Sequence, residues 1–241
     1  MTYLELVQSL VKELGLGGSN NTGTVPTTTV SQTGQLGDAC NWIAQSILDI
    51  ENTWRDWDFL QTDYSETLTV GSRSIPAHSG AGTVREWDKR SFFLNYAGAS
   101  PTELTFVDWR QFRPVFDVGN HPTAGQPRYF SIKPNKEVIL DTPPEQAYTL
   151  SASFWKKPTL ISGDGTEPNI PDNYDRVIIA GAAIKYGNKA AAAEVIDGMA
   201  AEYEVGFLVL QSEMCPSFNA GGMSGDDQFL EMEIPNTGDW G

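Results

Sequence analysis

The chain holds only two histidines, His78 and His121, and two cysteines, Cys40 and Cys215, and that scarcity limits its chemistry. Hydrolytic nucleophilic catalysis needs a Ser or Cys beside a His base and an orienting acid. Both histidines sit in Gly- and Pro-containing stretches of loop character. Gly222-Met223-Ser224-Gly225 has neither the spacing of a nucleophile elbow nor a buried strand before it. The carboxylates at Asp226-Asp227 and from Asp164 to Glu167 lack the alternation of a calcium loop, and the cysteines lack the paired spacing of a zinc site. Gly15-Leu16-Gly17-Gly18 and Gly80-Ala81-Gly82 fit neither a dinucleotide fingerprint nor a phosphate loop. We therefore expect no catalytic residue, no metal site and no cofactor, and hence a non-enzymatic chain.

One alternative stays open at this point. Glycoside cleavage uses two carboxylates distant in sequence, and 31 acids offer many pairs. Trp87, Trp109 and Trp155 would supply a sugar platform, although tryptophans of a β core explain them as well. The competing class is a carbohydrate-binding or glycan-depolymerising protein.

Thirty-one acids against 16 bases give a net charge of −15. Such a chain has no surplus of Lys and Arg to displace counterions from phosphates, so adhesion to nucleic acid is excluded as its main task. DNA passing nearby without sticking is compatible with that charge. Two cysteines are too few for a disulfide framework, which fits a reducing compartment. The opening MTYLELVQSLVKEL mixes acids into its apolar positions and does not read as a signal peptide. No apolar run approaches the roughly 20 residues of a membrane span. Asn20-Asn21-Thr22 matches a glycosylation sequon, but no secretory signal accompanies it.

The elements that would position any site read as follows. Leu6, Val7, Leu10, Val11 and Leu14 recur at helical spacing before the stop at Gly15. A linker rich in Gly, Asn and Thr runs to Thr33. A second helix starts there, with Leu36, Cys40, Ile43, Ile47, Ile50 and Trp54 on one core-facing stripe. From about residue 62 to 160 the period changes to two. Strands are expected at 66–70, 91–95, 103–107, 128–133, 137–141 and 148–156, joined as antiparallel hairpins because the connections are too short for crossovers. Pro134-Asn135 marks a reversal and Pro143-Pro144 a strand end.

A third helix opens at Pro171-Asp172, with Asp172 as a cap, Val177, Gly181 and Ile184 on one face, and an end near Tyr186-Gly187. A fourth spans about 190 to 212 and packs against the third through Val195, Met199, Tyr203, Phe207 and Leu210. Gly181, Gly198 and Gly206 each weaken a helix by roughly 1 kcal/mol, which predicts close helix crossing as compensation. Residues 213–241 carry six acids and no Lys, Arg or His. Leu230, Met232 and Ile234 there alternate with Glu231 and Glu233, the pattern of a strand with one apolar edge.

The fold class is thus α+β: a helical bundle from N- and C-terminal helices, an inserted antiparallel β domain, and an extended C-terminal tail. The expected domains are 1–60 with 168–212 as a discontinuous helical unit, 61–167 as the β unit, and 213–241 as the acidic tail.

Several segments, in this order, resemble the head-to-tail adaptor family of tailed bacteriophages. They are TYLELVQSLVKELGL at the start, Thr33-Gly34-Gln35 opening the second helix, and Trp54-Arg55-Asp56-Trp57-Asp58-Phe59-Leu60 at its end. Gly125-Gln126-Pro127-Arg128-Tyr129-Phe130 follows, then Val138-Ile139-Leu140 with Pro143-Pro144, and Tyr148-Thr149-Leu150 running to Phe154-Trp155 and Pro158. Ile170-Pro171-Asp172 and Lys185-Tyr186-Gly187 bracket the third helix. The similarity extends to about residue 212, and the glycine-rich acidic tail departs from it.

The resemblance implies a virion structural protein at the neck between capsid and tail, assembled in the host cytoplasm. It implies a ring of twelve copies joining the portal protein to a tail or nozzle protein. DNA would pass through the channel without specific binding during packaging retention and genome ejection, and no membrane is involved. The helices would form the tube wall, with the β unit facing outward or toward the tail. The candidate portal contacts are Phe229, Leu230, Met232 and Ile234, added as a strand to a portal subunit. The candidate structural core is Leu36, Cys40, Ile43, Ile47, Ile50, Trp54, Val177 and Ile184.

Overall fold

The computed structural model describes residues 1–16, 25–75, 84–96, 100–118 and 123–215. The fold is α+β. Its helices are α1 (Tyr3–Leu14), α2 (Gly34–Thr53), α3 (Trp109–Phe112), α4 (Asp175–Ala190) and α5 (Ala193–Met214). Its strands are β1 (Gln61–Thr67), β2 (Ser74–Ile75), β3 (Val84–Trp87), β4 (Phe93–Asn95), β5 (Thr102–Glu103), β6 (Thr105–Phe106), β7 (Tyr129–Ile132), β8 (Val138–Leu140) and β9 (Thr149–Lys156).

α1 forms because Thr2 and Glu5 make a reciprocal capping box and Gly15 closes the other end at φ 62°. Two further amides of its first turn, of Tyr3 and Leu4, donate to the carbonyls of Thr166 (2.8 Å) and Asp164 (3.3 Å). The loop around residue 164 therefore satisfies donors that a helix start leaves orphaned. α4 lies at the centre of the helical layer, against α1 and α2 on one side and α5 on the other. Its position explains why Val177, Ile178, Ile179, Ala180, Ala182 and Ala183 are all buried, on more than one face.

β9 organises the first sheet. β1 pairs along one edge, from Gln61 opposite Trp155 to Thr67 opposite Thr149. β3 and β4 share the other edge, β3 against Phe154–Lys156 and β4 against Thr149–Ser151. The second sheet runs β2-β8-β7-β6. Both sheets supply one core, in which the Phe92 and Phe130 rings stack with centroids 4.0 Å apart. Leu150, Ala152 and Phe154 point into that core, while Trp155, one position on, packs against the helical core.

Several details differ from expectation. The first strand lies at 61–67 rather than 66–70, because its partner β9 reaches back to Trp155. β6 pairs with β7 in parallel, which a hairpin reading of short connections misses. The segment between those two strands carries α3, capped by Asp108, and a π-turn at Arg113–Asp117. Asp172 does not cap α4. A 3₁₀ turn occupies Asp172–Tyr174, and the Asp172 carboxylate instead accepts from the Met1 amino group at 2.6 Å. α4 continues past Gly187 to Ala190, and Ala191 makes the turn at φ 52°. α5 runs to Met214, two residues beyond its expected end.

Candidate assembly surface

α5 places apolar side chains on two opposite faces. Its inner face, Val195, Met199, Tyr203, Phe207, Leu210 and Met214, packs on the helical core. That packing is close because two positions have no Cβ: one built on Gly206 would lie 2.6 Å from Val177 Cγ2. One built on Gly181 would lie 2.5 Å from Ser46 Oγ and 3.0 Å from Tyr203 Cε2. Gly198 is different, with nothing within 4 Å of its site, so the expectation of a close crossing there is corrected.

The outer face carries Val205, Leu208 and Val209 at 65%, 54% and 44% exposure. Ala201 and Ser212 extend the stripe at spacings of four and three residues, which places all five on one side of the helix. Asp197 and Glu204, exposed and seven residues apart, line one flank. α5 has five carboxylates and no Lys or Arg. A helix apolar on both faces is ordinarily covered on both. The run Val205 to Leu210, unbroken by a polar residue, carried that signal in the sequence, although only the inner stripe is read from periodicity.

A second surface lies in the β layer. Four cations, Lys89, Arg110, Lys133 and Lys136, and two acids, Glu86 and Asp108, line a 310 Å³ cleft, where Lys133 also pairs with Glu137 at 3.0 Å. The Lys89 ammonium sits 5.0 Å from the Phe106 ring centre and that of Lys133 lies 5.9 Å from the Trp109 ring. These cations come from three separate segments, so no local motif announces them.

Polar anchors join the helices. Arg176 on α4 makes a bidentate pair with Glu13 of α1 at 2.6 and 2.7 Å, and a second pair with Glu202 of α5. Arg176 holds the Glu202 carboxyl below its usual range by donating to it. Glu51, on α2, is 1% exposed and accepts from Asn169 Nδ2 at 3.0 Å, while its other oxygen has no partner. Burial pushes its carboxyl up, opposed by that hydrogen bond and by the charges of Arg85 and Lys156.

Of the residues singled out from sequence, Cys40, Ile43, Ile47, Ile50 and Val177 are buried, whereas Leu36, Trp54 and Ile184 are half-buried. Trp54 sits just past the helix in extended backbone. Phe229, Leu230, Met232 and Ile234 lie outside the described residues, as do both histidines and Asp226-Asp227. Trp87 is in the β core and Trp155 on the helical core, so of the three platform tryptophans only Trp109 is at the cleft without being part of a core. Asp164 is occupied by the amide and hydroxyl of Thr29, at 2.5 and 2.6 Å. Among the described residues no three of His, Cys, Asp and Glu converge, and no helix is long and apolar enough to cross a membrane.

No curated protein matches the chain. A family model described as SU10 adaptor protein matches residues 1–211, which covers every helix but the last turn of α5, both sheets, and nearly all of the apolar outer face. The chain belongs to the SU10 adaptor protein family, and with it to the adaptor proteins of the phage virion neck.

Proposed function

We propose that this protein is a head-to-tail adaptor that forms a ring, twelve copies in our reading, between the portal and the tail or nozzle. The ring continues the DNA channel, retaining the packaged genome and passing it at ejection. The protein performs no catalysis. The helical unit, 1–60 with 168–212, forms the wall, and the β unit, 61–167, faces outward or toward the tail.

The observation that carries this reading is the exposed stripe Ala201, Val205, Leu208, Val209 on α5. Burying a Val or Leu side chain contributes about 1.5–3 kcal/mol. A contact of that size is modest between two copies, but repeated around a closed ring it becomes cumulative. Asp197 and Glu204 on its flank would present negative charge to passing DNA, which then finds no counterion release to gain. Residues 216–241, with Phe229, Leu230, Met232 and Ile234, would add a strand to a portal subunit.

The test is the mass of the purified protein with and without portal. A monomer that becomes a ring on the portal supports the proposal. Val205→Glu with Leu208→Glu should abolish the ring and leave the melting temperature of the monomer nearly unchanged, since both side chains are exposed. A ring that forms normally with both substitutions would remove α5 from the interface.

A further inference from the structure

The basic cleft of the β layer is at odds with the rest of the chain. Four of the 16 bases line it against two acids, Glu86 and Asp108, in a protein of net charge −15. Phe106, Trp109 and Ile132 supply apolar lining. Cations beside aromatic lining suit a ligand that alternates carboxylates with apolar side chains. Residues 226–234, Asp-Asp-Gln-Phe-Leu-Glu-Met-Glu-Ile, have that composition, with four acids and no base in nine positions.

A chain of contacts links the exit of α5 to the cleft. Cys215 Sγ is 3.8 Å from the Asp56 carboxylate. The neighbouring Arg55 pairs with Glu86 at 3.2 Å, and Glu86 lines the cleft. Asp226 is eleven positions beyond Cys215, a reach of at most about 40 Å.

We propose that residues 226–234 occupy this cleft in the free chain, as an intramolecular ligand. Their carboxylates face Lys89, Arg110, Lys133 and Lys136, and Phe229 and Leu230 lie on the Trp109 and Phe106 rings. The consequence rests on the proposed role of the same segment at the portal. Leu230, Met232 and Ile234 cannot be in both places, so the cleft keeps an aggregation-prone edge covered until the portal displaces it.

The experiment is zero-length carbodiimide cross-linking of the full chain, with an equal mixture of ¹⁴N- and ¹⁵N-labelled protein and peptide mass spectrometry. Expected are bonds from Lys89, Lys133 or Lys136 to Asp226, Asp227, Glu231 or Glu233, within one chain, weakened several-fold at 0.5 M salt. Arg110→Glu with Lys136→Glu, both on the cleft rim, should reduce them at least several-fold and make portal joining faster. Bonds only between chains, bonds spread equally over remote lysines such as Lys12 and Lys185, or no bonds would each overturn the proposal. Portal joining by a chain ending at Cys215 is a separate readout. If that chain still joins, the portal role of the segment fails while the cleft cross-links stand or fall alone.

Discussion

The guanidinium of Arg85, on β3, lies 2.9 Å from the carbonyl oxygen of Trp54, and the same Nη1 donates to the Glu51 carbonyl at 3.0 Å. A strand of the β layer therefore closes the C-terminal end of α2, which has neither a basic residue in its last turn nor a glycine cap. Hydrogen bonds to a charged donor contribute about 1.5–3 kcal/mol. Arg85→Met should therefore lower the unfolding free energy by about 1–3 kcal/mol in urea denaturation, and an unchanged midpoint would show that water replaces the guanidinium without loss.

The glycines of the helical pair separate two effects. Gly206→Val forces a side chain against Val177, and overpacking of this kind costs about 1–3 kcal/mol. Gly198→Ala meets nothing within 4 Å and should stabilise by up to about 1 kcal/mol through helix propensity. Thermal unfolding of the two variants should move in opposite directions.

Glu51 carries a pH signature. Its folded carboxyl binds a proton more readily than in the unfolded chain, because burial disfavours the charge. In the window between the two pKa values the folded state holds more protons, so stability falls as pH rises through it. Glu51→Gln keeps an acceptor for Asn169 and removes the charge. It should be more stable than the parent at pH 7, with the gap closing as pH falls toward the ordinary carboxylate range. A gap that stays unchanged from pH 7 down through the ordinary carboxylate range would locate the effect elsewhere.

The end of α5 sets where the chain is divisible. Met214 packs on the helical core, Cys215 is buried within it, and Tyr174 donates to Glu213. Removing residues 213–241 would strip those contacts, whereas ending the chain at Cys215 keeps them. The longer form should melt within a few degrees of the full chain, and the shorter one markedly lower, by circular dichroism. If residues 216–241 bind the portal, the longer form should no longer join it.

Much of the helical layer was legible because burial imposes a period. Ile43, Ile47 and Ile50 recur at spacings of four and three since only one side of α2 meets α4, and Thr2 with Glu5 is a local pattern whose hydrogen bonds close within one turn. The alternation of Leu150, Ala152 and Phe154 likewise reports one covered face. α3 and the π-turn were not legible: the aromatic and charged residues of 109–117 have no dominant period.

Sequence alone thus determined the α+β class, the apolar stripes and the absence of a local catalytic motif, because these depend on residues near one another in the chain. Tertiary structure decided the rest. The parallel β6–β7 pair, the Arg85 cap on α2, the four cations around one cleft, and the exposed side of α5 all depend on which distant segments meet. Contacts between such segments leave no period in the sequence, since each side chain is chosen by a partner many residues away.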